Sequence, residues 1–222
     1  MAKSRCTTSQ AAFQVRRSCT STAPTDAWYE RARAVLSQAV DGWWEIYESG
    51  EASRALCELM RLCGVTGDAE GVSRARARGR AFERAHPTKR ASIAYLRWAT
   101  GRALVQTDRP REALEVLEAV ALAGLEDHVI AGVLRWRANA QQALDNAGRA
   151  AELRAQAATS GFEGAAEFVA LDAALASPET TDETLAAILD RLETMGPQGI
   201  HGLLGAGTAR ERAERVTREY PY

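Results

Sequence analysis

The feature that most constrains this chain is that it resembles itself at a nearly fixed distance. Leu96-Arg97-Trp98 returns as Leu134-Arg135-Trp136, an offset of 38, and Ala103-Leu104 returns as Ala143-Leu144, an offset of 40. Asp108-Arg109 followed by Glu112 has its counterpart in Gly148-Arg149 followed by Glu152. Stepping back 41 residues from Asp108 reaches Gly67-Asp68, again between two apolar-periodic stretches. A period of this size with two helical stretches per unit predicts a stacked array, because one hairpin cannot bury its apolar face alone and must lean on its neighbours.

The helical reading rests on spacing. Trp28, Ala32, Val35, Leu36, Ala39, Val40, Trp43, Ile46 and Tyr47 recur at three- and four-residue steps, and Gly50 is the expected stop, since glycine takes the left-handed conformation that ends helices. Further helices are expected at about 51–63, 68–85, 88–107, 110–123, 127–146, 148–159, 162–176, 182–195 and 207–219. The breaks are Gly64 to Gly67, Pro87, Arg109-Pro110, Gly148, Pro178, and Gly196-Pro197 to Gly207. No segment alternates with period two, so no sheet is expected. Apolar residues at 46% and charged residues at 26% give the balance of a folded protein. No apolar run approaches the roughly 18 positions of a membrane-spanning helix, and no secretory segment follows the start.

Three parts follow: a flexible basic tail over 1–25, a helical array over 26–195, and a Gly-rich hinge with a C-terminal capping helix over 196–222. The tail holds Lys3, Arg5, Arg16 and Arg17 among serines and threonines with no acid. That composition fits a plain extension on a cytoplasmic protein or, alternatively, an organellar (mitochondrial) transit peptide. Cys6, Cys19, Cys57 and Cys63 include no C-x-x-C pair and read as reduced thiols, with Cys57 and Cys63 as small core residues.

Over roughly residues 51–159 the chain resembles the tetratricopeptide (TPR) family. The middle unit carries the resemblance in Gly101, Leu104, Asp108, Ala113, Leu117 and Val120. The third keeps Leu144 and Gly148 but has Leu153 where the family has Ala, and the first keeps Leu56, Gly67-Asp68 and Val72. Units of about 40 residues depart from the family's roughly 34. The resemblance implies an all-α fold, a right-handed antiparallel helix-hairpin array (a TPR-like α-solenoid), with 162–176 and 182–195 as a degenerate fourth unit and the flanking helices as caps. It also implies a concave groove lined by the first helix of each pair. The groove positions are Arg54, Cys57, Glu58 and Arg61, then Tyr95, Trp98, Ala99, Arg102 and Gln106, then Arg135, Asn139 and Gln142. Arginines, amides and an aromatic suit an extended acidic peptide, since guanidinium binds carboxylate bidentately. Trp98 and Trp136 read equally well as core.

A net charge of -1 argues against a general nucleic-acid binder. Charge is nonetheless uneven. Arg74, Arg76, Arg78, Arg80 and Arg84 form a basic patch, continued by Lys89 and Arg90 and interrupted by Glu83 alone, which reads as a solvated face or a landing site for an acidic segment. Segment 161–198 has eight acids against Arg191. Such polarity suits head-to-tail self-association or two different partners.

Catalytic constellations are not found. His86, His128 and His201 lie far apart, no H-E-x-x-H, G-x-S-x-G or phosphate-binding glycine motif occurs, and the Gly-rich stretch from Gly199 to Thr208 follows no strand and reads as a hinge. The expectation is a non-enzymatic scaffold or adaptor that binds another protein, with no metal and no cofactor. The alternative is a regulatory or sensor protein that works with a signalling or transcription partner.

Overall fold

The computed structural model of the chain describes residues 26–45, 49–195 and 200–220. The basic tail over 1–25, Ile46 and Tyr47, and the Gly196-Pro197 break lie outside the described residues, as do the side chains of Trp28 and Trp43. The fold is all-α: ten helices and no strand among the described residues. They are α1 (Asp26–Glu45), α2 (Ser49–Val65), α3 (Ala69–Ala85), α4 (Arg90–Gln106), α5 (Pro110–Glu118), α6 (Asp127–Ala143), α7 (Ala147–Ala158), α8 (Ala165–Ala176), α9 (Asp182–Met195) and α10 (Ala209–Glu219). No helix among the described residues is long and apolar enough to cross a membrane.

Local chemistry sets the helix ends. The Asp68 carboxylate accepts from the Gly71 N–H to cap α3, Pro110 starts α5 where its missing N–H costs nothing, and Thr208 and Glu211 form a reciprocal capping box on α10. Three helix ends share one geometry. Gly67, Asp108 and Asp145 take left-handed backbone (φ 68, 57 and 60). The next N–H in each turn then reaches back five residues: Asp68 to the Cys63 carbonyl (2.8 Å), Arg109 to Leu104 (2.8 Å) and Asn146 to Gln141 (3.0 Å). This arrangement satisfies carbonyls that the helix end would otherwise leave bare.

Two glycines read as helix breaks are not breaks. Gly50 is the second residue of α2, and Gly148 lies inside α7, where an added Cβ would meet nothing within 4 Å. The turn expected at Gly148 is made three residues earlier by Asp145, whose short polar side chain tolerates the left-handed region. α5 also ends at Glu118 rather than near 123, and the following segment turns at Gly124 (φ 78).

α2 packs on α3, α4 on α5, α6 on α7, and α8 on α9; α2, α4, α6 and α8 also lie side by side in that order. α1 covers α2, while α10 rests on α8 and α9 and reaches α2. α4 is therefore enclosed from several directions, and its buried residues run all round it: Ala94, Leu96, Trp98, Thr100, Gly101, Arg102, Ala103 and Leu104. The largest core joins α1 through α6 around Leu36, Met60, Val72, Leu104, Leu117 and Trp136. A second core joins α8, α9 and α10 around Phe168, Leu171, Leu189, Ile200, Val216 and Tyr220.

Gly101 sits where α4 meets α5. A Cβ there would lie 2.3 Å from Leu117 Cγ, and Leu117 is itself fully buried, so it has nowhere to go. Gly101→Ala should lower stability in urea unfolding by about 1–3 kcal/mol through overpacking. Gly148→Ala should raise it by about 0.5–1 kcal/mol, because a helical glycine with open space is merely entropically costly. Equal effects at the two sites would show that α4 and α5 are not held at this distance.

Candidate binding site

Helix spacing gathers the site. Cys57, Glu58 and Arg61 share one face of α2, and Tyr95, Trp98, Ala99 and Arg102 share one face of α4, because residues three, four and seven apart align. Together with His128 at the start of α6 they line one cavity of about 170 Å³. Seven of those eight lining residues are groove positions implied by the TPR resemblance; His128 is the exception. Tyr95 and Trp98 have ring centroids 5.9 Å apart, and His128 lies 5.8 Å from Tyr95 and 6.4 Å from Trp98, all tilted, which is the preferred aromatic arrangement. Tyr95 Oη is 2.5 Å from His128 Nε2, and His128 Nδ1 is 3.2 Å from Glu126.

The groove cations are met in three different ways. Arg61 donates to Glu58 at 2.9 Å, and that carboxylate raises the Arg61 pKa against the opposing effect of burial. Arg135 forms a two-bond pair with Asp172 of α8 (2.5 and 2.7 Å), with Asn139 donating to the same carboxylate at 3.0 Å; both charged side chains are only 3% exposed. Arg102 is 3% exposed and donates through Nη2 to the Arg218 carbonyl at the end of α10 (2.5 Å), where Gln106 Nε2 also donates (2.9 Å). Its guanidinium lies over the Trp136 ring at 5.4 Å. Burial first, then the cations Arg61 and Arg135, push the Arg102 pKa down to about 9.

The ten predicted partner residues thus divide. Glu58, Arg61, Tyr95, Trp98 and Arg102 converge on the cavity, and Gln106 stands beside it on the α10 terminus. Arg135 and Asn139 are committed to Asp172. Gln142 accepts from Arg154 (3.3 Å), and Arg54 is exposed and paired with Glu51. Trp98 and Trp136 are both core, at 6% and 3% exposure, and Trp98 lines the cavity as well. Sequence reading missed His128, Asp172 and the α10 terminus. Asp172 is one of the eight acids of segment 161–198, and only the fold places it opposite Arg135.

The basic patch is largely consumed within the fold. Arg74 pairs with Glu70, Arg76 crosses to Glu112 of α5, and Arg78 crosses to Ser37 and Asp41 of α1. Arg80 and Arg84 are exposed and make no ion pair with any described residue. In the Gly-rich stretch, the Leu203 and Ala206 carbonyls accept from Arg215, and His201 is exposed with Nδ1 3.8 Å from Glu193. Among the described residues no three His, Cys, Asp or Glu side chains gather where they could hold a metal ion.

No protein-family model matches the chain, and no curated protein or solved structure matches it.

Two predictions follow from this geometry. Asp172→Ala leaves Arg135 buried without its anion and should destabilise the fold by about 3–5 kcal/mol, read by denaturant unfolding; a loss below about 1 kcal/mol would mean that water reaches Arg135. Burial also raises both thiols, Cys63 to about 11 and Cys57 further. Because the thiolate is the nucleophile, peptide mapping after iodoacetamide at pH 8 should show both alkylated at least about tenfold more slowly in the folded chain than in the denatured one.

Proposed function

We propose that the chain is a non-enzymatic adaptor, built as a right-handed TPR-like α-solenoid, that takes a segment of another protein into the groove formed by α2, α4 and α6. The array reading is supported by the hairpin pairs α2–α3, α4–α5 and α6–α7, by the side-by-side order of their first helices, and by the shared hydrogen bonding at Gly67, Asp108 and Asp145. The observation that carries the binding reading is the end of α10. There Arg102 and Gln106 together grip a helix-terminal carbonyl, so the groove already recognises an electronegative chain segment within its own molecule. Arg61 beside it is part-exposed, and Tyr95 and Trp98 supply apolar area, which suits an acidic segment with an apolar anchor.

A second reading, a regulatory or sensor protein that works with a signalling or transcription partner, is favoured by the aromatic-lined cavity between α2, α4 and the start of α6.

Capture of partners by the tagged chain, quantified by mass spectrometry, tests the adaptor. Arg61→Glu should reduce recovery of the specific partner at least about tenfold, the range expected for losing a charge-assisted contact, with the circular dichroism spectrum and melting unchanged. The double change Arg80→Glu with Arg84→Glu should leave recovery intact. The reverse pattern would move the site to α3 and remove the groove from the proposal.

A further inference from the structure

Among the described residues Arg102 is the groove guanidinium with no carboxylate in direct contact; Glu58 and Asp172 reach it only as neighbouring charges. Arg61 pairs with Glu58, Arg135 with Asp172, Arg218 with Glu219 and Arg54 with Glu51. Arg102 is met instead by the Arg218 carbonyl and the Trp136 ring, and its Nε is buried without a hydrogen-bond acceptor. A helix terminus supplies roughly half a negative charge, which leaves a buried cation incompletely answered. That cation also lines the cavity.

The rest of the lining describes what would answer it. Three aromatic rings, Tyr95, Trp98 and His128, stand around the space, and Ala99 and the protonated Cys57 thiol add apolar surface. A volume of about 170 Å³ is close to the roughly 150 Å³ that accommodates a single benzene ring, so one six-membered ring with a small substituent fits. Of the arginines and carboxylates that line the cavity, Arg61 and Arg102 are cations and Glu58 is the anion, one positive charge in excess, which calls for a monoanion. A phosphate dianion would find apolar walls in place of a cradle of backbone N–H groups.

We propose that the cavity binds a small aromatic monocarboxylate, its ring against Tyr95 and Trp98 and its carboxylate on Arg102, with Arg61 as the second donor. The site shares the groove with the partner proposed above but does not depend on that partner.

Calorimetric titration of the full chain with benzoate and 4-hydroxyphenylacetate, against benzyl alcohol and acetate, tests this. The aromatic acids should bind one to one and at least about tenfold tighter than either control, because the alcohol lacks the charge and acetate lacks the ring. Arg102→Met should weaken benzoate at least about tenfold. Because that change also releases the Arg218 carbonyl, Ala99→Phe is the second variant: it fills the cavity from α4 without touching an ion pair, and should abolish binding while melting is retained. Saturable binding of benzoate that survives Ala99→Phe overturns the proposal. So does equal binding of benzyl alcohol or acetate, and so does the absence of saturable heat up to millimolar benzoate. The titration uses the isolated chain, so its failure leaves partner capture to its own test.

Discussion

The close approach of α2, α4 and α6 governs the rest of this structure. Small residues make it possible: a Cβ on Gly64 would lie 2.9 Å from the Ala103 Cα, and one on Gly132 would strike the Trp98 ring at 2.2 Å. Close packing carries a consequence, because each of these helices has an arginine on the same side: Arg61, Arg102 and Arg135. Arg61 and Arg135 both act on Arg102 as neighbouring charges. Three cations in one poorly hydrated layer repel unless each is answered locally. Glu58 answers the first from its own helix. Asp172 answers the last from α8. The middle one receives the terminus of α10, a helix that its apolar face seats on α8 and α9.

The ion pairs around α3 play a different part. Arg76 and Arg78 bind carboxylates on α5 and α1, so what looks in sequence like a basic landing strip fastens three helices together, leaving Arg80 and Arg84 at the surface. Exposed single pairs of this kind contribute little stability, typically below about 1 kcal/mol each. Arg76 is the more protected, with 12% of its side chain exposed, and its partner Glu112 is shared with Arg109, so the Glu112 pKa is held low by both guanidiniums. Orientation of α5 against α3 is the more direct result.

Much of the helical architecture was legible because apolar periodicity is a local signal. Residues 182–195 form α9 as read, and the stripe Val72, Ala75, Gly79 and Phe82 is the buried face of α3. Helix ends were less legible where glycine was given the role of punctuation: Gly50 and Gly148 are ordinary helical positions, while Asp145 makes the turn. The site divides along the same line. The faces of α2 and α4 could be assembled from spacing on single helices, and they do meet in one cavity. The Arg135–Asp172 pair spans 37 residues and the Arg102 contact with α10 spans 116, and no periodicity encodes either. Both are products of the tertiary arrangement.

The seat of α10 has a bearing on how the chain folds. Arrays in which each hairpin touches only its neighbours have low contact order and can nucleate anywhere, then grow in both directions. A helix that begins at residue 209 and is fastened to α4 by Arg102 and Gln106 closes a loop of more than a hundred residues. Closing it costs chain entropy that is recovered only once α2, α4 and α8 are already in place. The hairpins close on short-range contacts, whereas seating α10 on α4 joins residues 112 and 116 apart in sequence. α10 thereby ties the C-terminal end of the described chain to α2 and α4.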